Sequence, residues 1–210
     1  QIRFPTTLRL AALSVLVSAM TGIPLGILSA VKQYSIADTL ATVTSLFLAA
    51  IPMFWLGMML ILVFALYLKL LPSNGVDTWT AYILPTITLS LPASAMLLRM
   101  SRSTMLETIR QDYIRTARAK GAPERQVIFK HALKNALLPV ITVIGMNFGF
   151  LLGGAVVIET IFSIPGLGTM ILEGIRMKDV PIVMGSTLFL AAIFSFIMLI
   201  LDLLYAFIDP

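Results

Sequence analysis

Few residues in this chain could do chemistry. Its one histidine, His131, stands beside Lys130 in a strongly basic stretch, and there is no second histidine and no cysteine to complete a metal site or a nucleophile–base pair. No GK dipeptide occurs, which excludes a Walker A phosphate loop, and neither H-E-x-x-H nor G-x-S-x-G is present. No catalytic residue and no metal ligand is assigned, and His131 is read as a packing or hydrogen-bonding group. The remaining candidates are polar residues inside oily segments, where an ionisable or amide group defaults to a functional reading. Asn147, with Met146 beside it, either lines a solute path or hydrogen-bonds to a neighbouring helix. Glu159 either meets solute at an outer helix end or is a solvated helix terminus, the latter slightly favoured. Asp202 is expected to pair with a basic residue of the elbow formed by residues 99–134, or to snorkel, rather than to bind solute.

The elements that carry these residues are apolar. The chain is 59% hydrophobic and 12% charged, half the charge of an ordinary soluble domain, so a soluble core is excluded in favour of a membrane protein. Five stretches are long enough to span a bilayer: about Leu8 to Val31, Leu40 to Leu68, Tyr82 to Leu98, Ala136 to Ile158 and Ile182 to Ile208. Pro24, Pro52, Pro85 and Pro92 are read as kinks within spans. The fold class is therefore all-α and polytopic, a single membrane domain over residues 1–210. Gly22 and Gly26, and Gly145, Gly149 and Gly153, recur every four residues, the spacing that lets helix backbones approach. Packing within the chain is the first reading of both, and a contact between subunits the sharper one.

Between Arg99 and Lys134, nine basic residues stand against three acids, Glu107, Asp112 and Glu124. The positive-inside rule places this segment in the cytoplasm. Alternation puts residues 32–38 inside, and residues 69–81, the loop around 163–168 and Gln1 outside. Arg3 and Arg9 then lie on the wrong side, a conflict that fits a chain lacking an earlier span. Trp79, Tyr82 and Tyr67 fall at the outer boundary. The basic patch is not interleaved with aromatic residues, so nucleic acid is excluded as a partner; the lipid bilayer or a docking protein remains.

Thr104 to Lys120 is free of proline and glycine and is expected to form one helix. Gly121 ends it, and Pro123 and Glu124 open the next. Val127, Ile128, Ala132 and Leu133 are spaced to form an apolar face. The result is an elbow of about 35 residues, far longer than the usual connection of about 2–8 between bundle helices. Charged lipid headgroups account for part of its charge, not for its length. A rigid knob joined to two membrane helices would let a cytoplasmic partner tilt both together.

The segment "DYIRTARAKG…HALKNALLP" resembles the cytoplasmic EAA loop of ABC-importer permeases in the oligopeptide, dipeptide and nickel branch. Gly121 takes the glycine position of that pattern; Arg115, Thr116 and Ala117 take the E-A-A positions, where only the last matches. "GGAVVIETIFSIPGLG" (153–168), "KDVPIV" (178–183) and "DLLYAFIDP" (202–210) are similar to the same branch. The likeness covers essentially the whole chain, with a first span of the usual six and a few C-terminal residues missing. It implies the core of a type I importer permease in the inner membrane of a prokaryote. Its coupling segment would be 99–134, with Arg115, Thr116, Ala117, Arg118, Ala119, Lys120, Gly121, Ala122 and Pro123 meeting an ATP-binding-cassette subunit. Implied partners are two such ATPases, a homologous second permease and an external solute-binding protein. ATP and magnesium would sit on the partner subunits, with no cofactor in this chain. Phe162, Pro165 and Gly166 would lie near the outer gate and the binding-protein contact. Peptides, nickel or a similar small solute would be carried. A gradient-driven secondary transporter or channel, or a plain membrane anchor, are the readings from other classes.

Overall fold

Residues 3–208 are described by a computed structural model, the last five of them as backbone only. Gln1, and the Asp209 and Pro210 that close "DLLYAFIDP", lie outside the described residues. Helix α1 (Arg3–Val31) contains Pro24 without interruption. After α2 (Ile36–Ala50) and α3 (Met53–Tyr67) come α4 (Ile83–Ile109), α5 (Asp112–Ala119) and α6 (Glu124–Gly153). Helices α7 (Val156–Ile161), α8 (Leu167–Met177) and α9 (Val180–Ile208) complete the chain. Among the described residues, four helices are long and apolar enough to cross a membrane, and the bent pair α2–α3 makes a fifth span if its halves count as one.

The expected second span is where expectation and structure part. Its halves meet at 96°, so Pro52 is a break. The residue before a proline is pushed to extended backbone, and Ile51 adopts φ −75°, ψ 124°. Pro52 is extended too, and it starts α3 as its N-cap. Pro85 falls in the first turn of α4, where no N–H is needed. The third span runs eleven residues beyond Leu98, to Ile109. The single helix expected from Thr104 to Lys120 is two helices: Gln111 takes φ −69°, ψ 151°, and α5 starts afresh. The loop around "SIPGLG" carries a helix of its own, α8.

Two close approaches hold the bundle. A Cβ at Gly22 would lie 2.5 Å from the carbonyl oxygen of Ser94, and one at Gly26 2.5 Å from that of Leu98. The backbones of α1 and α4 therefore touch, and the Thr21 and Ser94 hydroxyls share a hydrogen bond of 2.8 Å at the same crossing. On α6 the glycine face is filled by α9. A Cβ at Gly145 would collide with Leu201, and one at Gly149 with Phe194, whereas one at Gly153 would meet nothing within 4 Å among the described residues. At Gly22, Gly26, Gly145 and Gly149 the small residues serve packing within the chain.

The two ends of the bundle have separate apolar centres. Leu10, Leu84, Leu89, Leu152, Ile158 and Phe162 belong to the outer one. Ala30, Met105, Ile114, Val127, Ala132 and Ala136 belong to the inner one. The N–H of Gly75 donates to the carbonyl of Phe162 at 3.1 Å, which places residues 69–81 and the 163–168 loop on one side, as alternation requires. Tyr67 and Trp79 are exposed at that outer end.

Gly26→Val should destabilise the folded chain by about 1–3 kcal/mol, because a side chain is forced against backbone that cannot yield. Gly153→Ala should be neutral or mildly stabilising. Thermal unfolding in detergent compares the two, and equal melting temperatures would contradict the α1–α4 contact.

Candidate functional site: the inner elbow

The elbow is built from a helix that ends, a glycine that turns and a helix that starts. At the end of α5 the N–H of Gly121 bonds to the carbonyl of Arg118 at 2.9 Å, and the N–H of Ala122 to that of Ala117 at 3.3 Å. This paired closure needs a left-handed residue between, and Gly121 has φ +79° with open space where a Cβ would project. Pro123 then caps α6 in extended conformation, and Glu124 is its first residue. Arg118 reaches across the turn to Glu124 with two bonds, Nε to Oε2 at 3.0 Å and Nη2 to Oε1 at 2.6 Å. The hydrogen bond to Glu124 raises the Arg118 pKa above its ordinary value. The pair is exposed, so it contributes little to stability; its effect is to hold the angle at Gly121.

What fixes the elbow to the membrane helices is apolar. Ile114 is fully buried, and it packs with Val127, Ala132 and Ala136 of α6, Met105 of α4 and Ala30 of α1. The face expected from Val127, Ile128, Ala132 and Leu133 is that contact: Val127, Ile128 and Ala132 are buried and Leu133 is partly so. The Asn135 amide donates to the Tyr113 hydroxyl at 2.8 Å, a second link between α5 and α6. Residues 127–132 wind as a π-helix, a local widening often found at functional sites; His131 lies there, half-buried. Opposite the buried face, Arg115, Thr116, Arg118, Ala119, Lys120, Gly121 and Pro123 are exposed, and Ala117 and Ala122 are partly so. The elbow thus offers a polar, basic surface on a sealed apolar base.

The other sequence-predicted residues do not join it. Met146 is exposed on α6, 58% of its surface free. Asn147 is half-buried, its amide nitrogen enclosed and without a partner among the described residues. Asp202 is exposed and forms no ion pair among the described residues.

Glu159 and Phe162 are corrections. Phe162 is 1% exposed in the outer core, because α7 turns its ring inward, so no external partner reaches it. Glu159 is 0% exposed, neither a solvated helix end nor a solute contact. Its carboxylate caps α8: the N–H of Thr169 donates to Oε2 at 2.9 Å, and the N–H of Gly168 also donates to it. The Thr7 hydroxyl donates to Oε1 at 2.6 Å and accepts from the N–H of Leu167 at 2.9 Å. Three of the orphan N–H groups at that helix start are satisfied by two side chains. Gly166 is buried because its missing side chain leaves room for this carboxylate; a Cβ there would collide with it. Pro165 alone of the three expected outer-gate residues is exposed. Arg3, placed against the positive-inside rule, pairs with Glu173 of α8 at 2.9 Å.

A bundle of apolar helices with a projecting elbow has a counterpart among known protein families. The chain aligns over residues 22–210 with the binding-protein-dependent transport system inner membrane component. The chain belongs to that family. It is 40% identical over 209 residues to the glutathione transport system permease protein GsiC of Pectobacterium atrosepticum, covering 100% of this chain and 68% of that protein. The same protein of Escherichia coli K12 is 40% identical over 208 residues, with 99% and 68% covered. Its fold is that of two inward-facing structures of the MetNI methionine ABC transporter. Their TM-scores are 0.75 and 0.78, at 19% identity, with 98% of this chain and 94% of those chains covered. A crystal structure of an amino acid ABC transporter with histidines gives 0.68 at 15% identity, with 98% and 90% covered. The chain is thus the permease component of an ABC importer in the inner membrane. Such permeases work with ATPase and solute-binding partners, and the gradient-driven alternative finds no support.

Glu159→Ala should lower stability by about 1–3 kcal/mol, since it leaves buried N–H groups of α8 without an acceptor. Glu159→Gln, which keeps one acceptor oxygen, should lose less. Thermal melting of the purified permease separates them, and an unchanged melting temperature for the alanine variant would contradict the capping role.

Proposed function

We propose that residues 1–210 act as one permease unit of a peptide importer and that 99–134 is its coupling segment. The observation that carries this is the elbow's two-sidedness. Ile114 and the inner apolar cluster tie it to α1, α4 and α6, while the surface from Arg115 to Pro123 stands free and basic. An ATPase gripping that surface would displace α4 and α6 together. Two ATPase subunits, each with its ATP and magnesium, would engage this elbow and that of a homologous second permease. Solute would pass between the two permeases, delivered by an external binding protein. Met146 and its neighbour Asn147 would line that path, and Pro165 would meet the binding protein; Met146 and Pro165 are exposed, which supports this reading. The relatives at 40% identity are glutathione permeases, and glutathione is a short peptide, which favours a peptide solute over nickel.

Gly121→Val tests the coupling. The position has room for the side chain, but its φ of +79° costs an L-residue about 1–2 kcal/mol, so the turn should re-form at another angle while the protein still inserts. Peptide uptake by the complete transporter should fall at least about tenfold, with ATP hydrolysis no longer responsive to the loaded binding protein. Normal uptake would contradict the coupling role.

A further inference from the structure

The inner end of the bundle holds a second tie, which the elbow's docking surface does not include. Asp38, 4% exposed at the start of α2, receives Arg102 of α4 with two parallel bonds, Nε to Oδ1 at 2.7 Å and Nη2 to Oδ2 at 2.9 Å. Ser29 of α1 donates to the same carboxylate at 2.5 Å and accepts from Arg102 Nε at 3.1 Å. The N–H of Tyr34, in the turn between α1 and α2, donates to Oδ2 at 3.0 Å, and Tyr34 is held at φ 64°. Three helices and their connecting turn converge on one buried carboxylate. Farther along α2, Arg99 of α4 donates to the carbonyl of Ser45 at 3.3 Å. Helix α4 therefore grips α2 at two levels.

An ion pair with a buried carboxylate and a partly exposed guanidinium is a weak device for stability, because desolvation offsets much of the attraction. Its two-pronged geometry fixes relative position. Arg102 sits about two turns before the end of α4, beyond which α5 begins. Of the two helices that the elbow would displace, α4 carries its share past Arg102 on the way into the membrane. We infer that the Asp38–Arg102 pair is the strut by which movement of α4 is delivered to the α1–α2 turn and to the broken pair α2–α3. Both are positioning residues for the transport cycle, an assignment that rests on the coupling reading above. The half-span α2, bent 96° from α3 at Pro52, is the segment that would swing.

The chain has no cysteine, so paired labels can be introduced cleanly. In the reconstituted complete transporter, spin labels at Leu46→Cys on α2 and Met177→Cys on α8 report the distance between them with and without ATP–vanadate. A separate Ala119→Cys reports docking by crosslinking to the ATPase. Asp38→Asn with Arg102→Gln removes both charges and leaves neither buried alone. The expected result is an intact crosslink with the nucleotide-driven distance change reduced to less than half. Arg102→Lys, which keeps the charge and loses the two-pronged grip, should give an intermediate value. It decides the matter by the same readout if the double variant does not insert. A full distance change in these variants, crosslink intact, overturns the strut. Absence of the crosslink in the otherwise unaltered chain overturns the coupling reading itself, and the strut with it.

Discussion

The burial of Ile114 is the contact on which the rest of this molecule's mechanical meaning depends. An eight-residue helix is too short to persist in water by itself. Helix α5 exists because one isoleucine, with Ala117 beside it, is sealed against α4, α6 and α1. That burial makes the elbow part of the bundle, so a force on its polar surface acts on membrane helices and does not simply bend a loop. Without it, the nine basic residues from Arg99 to Lys134 would be a charged tether lying among headgroups.

Each end of the bundle is then tied by one carboxylate that has left water. At the outer end Glu159 joins α7, α8 and α1 through Thr7 and the first N–H groups of α8. At the inner end Asp38 joins α1, α2 and α4 through Arg102 and Ser29. Between them the α1 and α4 backbones touch at Gly22 and Gly26. The chemistry differs between the ends in a way that suits their work. The outer carboxylate satisfies fixed backbone donors at the start of α8. The inner one holds a long guanidinium side chain from the helix that leads into the elbow.

Much of this was legible in the chain itself, wherever the cause is local. Apolar length revealed the spans and the Gly121–Pro123 run the hinge, because each follows from solvation or from one residue's backbone preference. What stayed hidden depends on partners far away in sequence. Thr7 and Glu159 are 152 residues apart, and Asp38 and Arg102 are 64 apart. Glu159 therefore read as a helix end facing water, and Asp38 as one more loop residue. Pro52 misled because a proline in a span kinks or breaks according to what packs around it. The break between α4 and α5 was missed because Gln111 carries no breaker signal.

The account stands or falls on what covers the elbow's polar face in the membrane. Single cysteines at Thr116, Ala119 and Ala122 can be labelled with a water-soluble maleimide in inside-out vesicles, with and without the ATPase subunits. All three should label readily in the permease alone and become protected, by at least about tenfold in rate, when the ATPase binds. If instead they are already shielded by lipid, or stay equally reactive with the ATPase bound, the elbow is not the lever described here.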